Sequence, residues 1–219
     1  MLKHSYSSIK DFTGCARRFH QVRILRNFTS SATDATLYGE RVHKAFELYL
    51  MNGTPLPEDL TRHEPMLVAL KAAPGELLCE IKLGIRADFT PCGFFADDVW
   101  FRGVPDVLLL NREKGVARIG DWKTGKSARF ADTSQLELMA AMTMIHYPEV
   151  QTVHGMLCFV VANSVVKASY TREDLPTILS KWAGQADDVV QALAANVWNP
   201  TPSGLCRFCP VSPDACEHR

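Results

Sequence analysis

The alternation of apolar and polar positions divides the chain into helical and β-like stretches. Ser7 or Ser8 is placed to cap a short helix through Ile9, Phe12 and Cys15, with Asp11 near the capping-box position. A Ser/Thr/Asp-rich loop covers residues 29–36. Val42, Phe46 and Tyr49 recur at helical spacing and predict a helix over residues 37–51, ended by Asn52-Gly53 and Pro55-Leu56-Pro57. A weaker helical pattern spans 65–73. From Leu77 the pattern becomes β-like. Strands are predicted over 77–89, 99–110 and 116–123, the last two joined by a turn at 111–115. Asp132 or Ser134 would cap a helix through Leu136, Met139 and Met142 to about His146. Residues 155–162 form a nearly continuous apolar run, as in a central strand covered on both faces. A long helix over 174–197 precedes a proline-rich tail, 198–219, that cannot build a core. There is no internal repeat. This order predicts an α/β (α+β) fold, a mixed central β-sheet flanked by helices.

Composition narrows the class. A chain of 219 residues suits one domain, with room for an appended element. With 47% hydrophobic and 22% charged residues it is neither disordered nor collagenous. No apolar run approaches the roughly 18–20 residues of a membrane span. The first residues lack the apolar core of a secretory signal, so a cytoplasmic protein without membrane contact is expected. The 24 Lys+Arg balance the 24 Asp+Glu, which gives no global footprint of nucleic-acid binding. Locally the balance shifts: residues 1–30 carry Lys3, Lys10, Arg17, Arg18, Arg23 and Arg26 against Asp11 alone. Seven cysteines are an odd number, which argues against a closed disulfide framework.

The most informative chemistry lies in Gly103-Val-Pro-Asp106 and Asp121-Trp122-Lys123. A hairpin between these strands would set Asp106 beside Asp121. Period-two alternation then points Asp121 and Lys123 to one face and Trp122 to the other. Two carboxylates are costly to bury unless a cation neutralises them. Mg²⁺, which prefers one or two carboxylates plus waters and phosphate oxygens, is suited to that role. Lys123 would orient the attacking water or stabilise charge on a phosphate. His43, on the helix with Val42 and Phe46, has Glu47 four residues on as a candidate partner for its ring. Glu80, at a strand end, is open to two readings: facing the site, or solvated.

These residues resemble the RecB-like branch of the PD-(D/E)XK nuclease superfamily, including CRISPR-associated RecB-like exonucleases and the AddB nuclease domain. Gly103-Val-Pro-Asp106-Val-Leu-Leu is similar to the family's G-x-x-D-hydrophobic motif, and Gly120-Asp-Trp-Lys-Thr-Gly125 to its D-[YW]-K-T-G motif. Gly39-Glu-Arg-Val-His43 resembles G-x-x-x-H, whose histidine is a metal ligand in that family. Gln135 resembles the glutamine of Q-x-x-x-Y, with Met139 in the tyrosine position. Ser5-Tyr-Ser with Cys15-Ala-Arg-Arg-Phe19 resembles the opening S-x-S…C-P-R-x-[FY] segment, with Ala16 in place of proline. The resemblance runs from residue 5 to residue 216 and implies a restriction-endonuclease-like core. It also implies Mg²⁺ or Mn²⁺ held by His43, Asp106 and Asp121, with the Trp122 carbonyl as a further ligand, and Lys123 as the catalytic lysine.

Cys206-Arg-Phe-Cys209 and Cys216 form a C-x₂-C pair with a third cysteine close by, a metal-binding signal one ligand short of a closed site. By the resemblance the fourth ligand is Cys15 and the group a 4Fe–4S cluster; all-thiolate coordination also suits Zn²⁺. Residues 1–36 and 198–219 would then form one cluster-binding element within a single RecB-like domain, 1–219. Arg17 and Arg18 beside Cys15, with Lys126 and Gln135, are the candidate contacts to DNA.

The reading is a metal-dependent DNA exonuclease or end-processing nuclease of recombination, repair or replication, acting on single-stranded DNA or a free end. Two alternatives stand beside it. One is a catalytically inactive, nuclease-fold DNA-binding or adaptor subunit. The other is a P-loop nucleotide hydrolase, since Gly120–Ser127 reads G-x₄-G-K-S; that chemistry requires a helix starting at Lys126-Ser127.

Overall fold

The first helix begins where a serine can satisfy orphan backbone N–H groups. A computed structural model describes residues 2–29 and 33–219; residues 30–32 of the expected Ser/Thr/Asp-rich loop lie outside them. Helix α1 (Tyr6–Gly14) is capped by Ser5, whose Oγ accepts the Ser8 N–H while Ser8 Oγ accepts the Ser5 N–H. The cap is thus upstream of the expected Ser7 or Ser8. Asp11 takes no part in it, because its carboxylate binds Arg18 at 2.5 Å and Arg23 at 2.6 Å. Helix α2 (Ala16–Phe19) starts from Cys15 as N-cap and runs into a π-helical turn, His20–Ile24.

Next come α3 (Asp34–Asn52), stopped by Gly53 in the left-handed region, and α4 (Glu64–Ala72). Strands β1 (Glu76–Cys79), β2 (Leu83–Ile85), β3 (Pro91–Cys92), β4 (Phe101–Gly103), β5 (Val107–Asn111) and β6 (Val116–Lys123) follow. The chain continues through α5 (Ser134–His146), β7 (Thr152–Phe159), β8 (Ser164–Thr171) and α6 (Leu175–Ala195). The tail holds two short 3-10 turns, Cys206–Phe208 and Pro213–Ala215.

Two compact units result: Thr33–Leu179, and Met1–Ala32 with Ser180–Arg219. The first is built on a five-stranded sheet in the order β1-β5-β6-β7-β8. Only β6 and β7 in it are parallel, and α5 supplies the crossover such a pair needs. One face packs α5, whose residues from Leu138 to Met144 are all buried, against Leu108, Ile119 and Leu157. The other face packs Val107, Trp122 and Cys158 against Val42, Phe46 and Leu50 of α3 and Leu67 of α4. Helices on both faces of a mixed sheet match the expected class. Val116 to Lys123 forms one strand, as its pattern predicted.

Two expectations fail at one place. The strands predicted over 77–89 and 99–110 are each cut in two. Cys79 pairs with Val107 as the last rung of the large sheet, and Leu83 pairs with Gly103 as the first rung of a small sheet, β3-β2-β4. Between them Glu80 takes a left-handed φ of +52° and Pro105 has no N–H to offer. One bond bridges the gap, from the Glu80 N–H to the Asp106 carbonyl at 3.2 Å. Apolar residues on both sides of the break hid it from the periodicity. Strand β8 also escaped prediction: as an edge strand with every second residue exposed, it lacks the apolar density of its neighbour β7.

The second unit has an aromatic rather than aliphatic centre. Trp198 lies 6.2 Å from Phe19 and 6.4 Å from Phe12, and stacks on His20 at 4.4 Å. Arg17 Nε donates to the Trp198 carbonyl at 3.1 Å.

Entry into β1 depends on Gly75, with φ +135°, where a Cβ would lie 2.7 Å from the Leu110 carbonyl oxygen. Gly75→Ala combines a disfavoured backbone with a clash against backbone, at about 1–3 kcal/mol each. We expect it to lower the urea midpoint by the equivalent of about 2–6 kcal/mol. Gly14→Ala, with no atom within 4 Å, serves as the neutral control.

Candidate active site

Strand register places the acids. Val107 pairs with Gly120, so Asp106 and Asp121 occupy the next positions along the β5–β6 pair, and both are buried. Gly120 permits that closeness, since a Cβ there would fall 2.6 Å from a Val107 methyl. Helix α3 delivers His43 through its buried stripe, with Phe46 edge-to-face on Trp122 at 5.3 Å. One turn earlier Gly39 lets the helix approach Thr124; a Cβ there would sit 3.3 Å from the Thr124 Oγ1.

Each side chain is held by specific bonds. His43 Nδ1 lies 3.0 Å from Asp106 Oδ1, and His43 Nε2 lies 2.8 Å from the Trp122 carbonyl oxygen. Both partners are acceptors, so the ring that makes both bonds is the doubly protonated form. Burial pulls the His43 pKa down, but the hydrogen bond and charge of Asp106, with the charge of Asp121, outweigh it and raise the pKa. Asp106 Oδ2 accepts the Trp122 N–H at 2.5 Å. Lys123 Nζ donates to Gln135 Oε1 at 2.7 Å, and Gln135 Nε2 donates to Asp121 Oδ1. Lys123 Nζ also lies 2.6 Å from Asp121 Oδ2, an ion pair on the carboxylate's other oxygen.

The structure also brings in Glu80. Its carboxylate, Asp106 and His43 place ligand atoms within 4.8 Å of one another. Burial, then the charge of Asp106, pushes the Glu80 carboxyl above its ordinary range. Asp121 is pushed up by the same two causes, against the pull of Lys123 and His43. Three crowded acids, two of them with carboxyls pushed up by burial and by Asp106, make a donor set that fits a hard divalent cation. An acid closing an apolar strand was the only sequence signal for Glu80, because its left-handed turn into the site depends on backbone geometry.

Other expectations meet different surroundings. Glu47 does not orient the His43 ring; it pairs with Lys44 at 2.8 Å, and both ring nitrogens are already engaged. Lys126 is exposed in the connector after β6. No helix starts at Lys126-Ser127: the next begins at Ser134, and Asp121 and Trp122 lie within strand β6 rather than in a phosphate loop. The P-loop reading is thereby overturned. Met139, in the motif's tyrosine position, is buried core. Arg18 is engaged by Asp11, and Arg17 by the Trp198 carbonyl.

In the other unit Cys15, Cys206, Cys209 and Cys216 line one cavity of about 20 Å³ together with Arg17 and Arg18. Cys15 Sγ accepts the N–H groups of Arg18 and Thr201, each at 3.5 Å, and Cys206 Sγ accepts that of Ser203 at 3.3 Å. The remaining cysteines differ. Burial pushes the thiols of Cys79 and Cys158 up to about 11, which opposes thiolate formation.

The family model of the PD-(D/E)XK nuclease superfamily matches residues 3–217. The chain belongs to that superfamily, whose chemistry is phosphodiester hydrolysis in nucleic acids. No curated protein matches it. Among solved structures, a Eubacterium rectale protein named as a candidate exonuclease superposes with TM-score 0.57 at 14% identity, covering 97% of this chain and 92% of that one. The crystal structure of SSO0001 gives TM-score 0.50 at 12% identity, covering 94% and 82%. Both likenesses are of fold, and they agree with the restriction-endonuclease-like core described above.

Because the Asp121 carboxyl is raised when folded, the folded chain holds that proton more tightly than the unfolded chain. The resulting stability is fully present below the ordinary value of 3.8 and is lost as pH rises through the elevated folded value. Asp121→Asn removes the titrating group. Urea midpoints in EDTA should therefore fall less steeply for this variant than for wild type as pH rises from about 4 to 7. Parallel curves would exclude a raised Asp121.

Proposed function

We propose that this chain is a metal-dependent DNA exonuclease or end-processing nuclease of the RecB-like branch, a single domain spanning 1–219. One observation carries the reading: Lys123 and Gln135 close over Asp121 beside Asp106, in the family's motif order. Glu80, Asp106 and Asp121 would hold Mg²⁺ or Mn²⁺, joined by His43 once metal binding displaces a ring proton, with the Trp122 carbonyl as a further ligand. Such an ion supplies Lewis-acid polarisation of the phosphate and lowers the pKa of water. Lys123 stands where an ammonium stabilises charge developing on a scissile phosphate. Gln135 positions Lys123 and Asp121 together and is a candidate contact to DNA, as are Arg17, Arg18 and Lys126. The substrate would be single-stranded DNA or a free end, and the setting cytoplasmic recombination, repair or replication. Among the described residues no helix is long and apolar enough to cross a membrane.

Residues 1–36 and 198–219 form the cluster-binding element in this reading, with Cys15, Cys206, Cys209 and Cys216 as ligands of a 4Fe–4S cluster. Backbone N–H groups aimed at Cys15 and Cys206 sulfurs support it, since such bonds are common around thiolate-held clusters. A tetrahedral zinc, with Zn–S of about 2.3 Å, needs its sulfurs about 3.8 Å apart. Among the described residues only His43, Glu80 and Asp106 bring three ligand atoms within 4.8 Å. All-thiolate coordination also suits Zn²⁺, and metal analysis of the purified protein separates the two.

End-labelled single- and double-stranded DNA, incubated with and without Mn²⁺, tests the activity. Wild type should cleave only with metal, and Asp121→Ala or Lys123→Ala should lower the rate at least ~10²-fold, as for removal of a key electrostatic group. Cleavage at wild-type rate in both variants would falsify the assignment.

Iron content tests the cluster. Anaerobically purified protein should be brown. Cys15→Ala should lose iron, and tail resistance to proteolysis, as fully as Cys209→Ala, while Cys79→Ala keeps both. Iron retained without Cys15 would remove it from the ligand set.

A further inference from the structure

The small sheet carries an aromatic and cationic surface that the nuclease reading leaves unused. In it Leu83 pairs with Gly103, and Gly84 with Cys92 and Arg102. One end of this sheet therefore gathers the start of β2, the end of β4 and the turn that follows β3. At that same end the chain arrives from Glu80, three residues before Leu83, and departs to Asp106, three residues after Gly103. The turn after β3 carries Phe94 and Phe95, edge-to-face with centroids 5.0 Å apart. Lys82 Nζ lies 5.1 Å from the Phe95 centroid, and Arg102 Cζ lies 5.1 Å from that of Phe94.

Two properties mark this end as a binding surface rather than a packed corner. Phe95 is 70% exposed, although a phenylalanine with no ligand role gains by burial. Neither Lys82 nor Arg102 has a carboxylate partner among the described ion pairs. Asp98, in the loop after β3, is engaged by Arg86 at 2.6 Å. Lys82 follows Glu80 by two residues, so their Cα atoms are at most about 7 Å apart. An exposed ring, a half-buried ring beside it and two cations without a carboxylate partner complement a ligand that is itself flat rings joined by anions.

We propose that Phe94 and Phe95, with Lys82 and Arg102, form a stacking platform that holds single-stranded nucleic acid beside the Glu80–Asp106 cluster. Bases lie on the two rings, and phosphates meet the two cations. Stacking of this kind is tolerant of base identity, because every base offers a π-face. The proposal rests on the nuclease reading for the strand's purpose, but its own evidence is the surface.

The test separates binding from cleavage. Fluorescence anisotropy in EDTA compares a labelled oligothymidylate of about 15 nucleotides, within the usual site size, with an abasic strand of equal charge. Wild type should bind the thymidylate more tightly than the abasic strand. Phe94→Ala/Phe95→Ala should weaken thymidylate binding about tenfold or more and leave abasic binding nearly unchanged. Phe95→Tyr should restore the affinity. Lys82→Ala/Arg102→Ala should weaken both strands and lower the salt slope by about 1.4, as expected for two lost phosphate contacts on a single strand. Equal affinity for the two strands, or a double alanine variant that binds like wild type, overturns the platform and leaves the surface for a protein partner. Wild type that binds neither strand overturns it too. Phe95→Ser, at an exposed position, repeats the comparison if melting shows that the double variant misfolds. Stacking-dependent binding without Mn²⁺-dependent cleavage would defeat the nuclease reading alone; cleavage with stacking-independent binding would defeat the platform alone.

Discussion

Two buried carboxylates on neighbouring strands are the constraint that the rest of this site answers. Asp106 and Asp121 are brought together by the rung Val107–Gly120, where a Cβ on residue 120 would fall 2.6 Å from a Val107 methyl. In a low-dielectric interior each acid raises the cost of ionising the other. The surroundings respond from four directions: the Trp122 N–H and the His43 ring on Asp106, and Lys123 and Gln135 on Asp121. Compensation is incomplete, since the carboxyls of Asp121 and Glu80 stay raised. A site optimised for stability alone would replace one of these acids; the uncompensated electrostatic cost is what a bound cation would relieve in the function proposed above.

The same locus interrupts the sheet. A ladder that ran unbroken from 77–89 to 99–110 would turn Glu80 into a strand residue. Instead the ladder stops at Cys79–Val107 and restarts at Leu83–Gly103. The unpaired stretch frees Glu80 to enter a left-handed turn and Asp106 to leave the pleat. Left-handed glutamate is uncommon and costs free energy, and such backbone is characteristically retained at functional sites. The break also creates the small sheet, so one irregularity sets both the acid cluster and the surface beside it.

The unit formed by the two chain ends poses a different physical problem. Its tail has prolines, short turns and exposed side chains such as Leu205 and Phe208, with little apolar burial to hold it. Four cysteines line one small cavity there, and in the cluster reading proposed above a bound group would add cohesion, because ligand binding to a site absent from the unfolded chain contributes directly to folding free energy.

Much of this was legible in the residues. Period-two alternation placed Asp121 and Lys123 on one face, helical spacing placed Val42 and Phe46 under His43, and the strand at Val116–Lys123 followed from local apolar density. These are short-range properties, set by repeat geometry within a single element. The partners of each group were not legible. Glu47, at the right helical offset, pairs with Lys44 while the His43 ring turns to Asp106; Gln135 closes on both Asp121 and Lys123; and G-x₄-G-K-S forms no phosphate loop, because Asp121 and Trp122 are held in strand β6 between β5 and β7. By itself the sequence determined which residues could carry the chemistry and which elements would bear them. Only the tertiary structure decided which atoms meet, because hydrogen bonds and charges act over a few ångströms and those distances are set by packing between elements far apart in the chain.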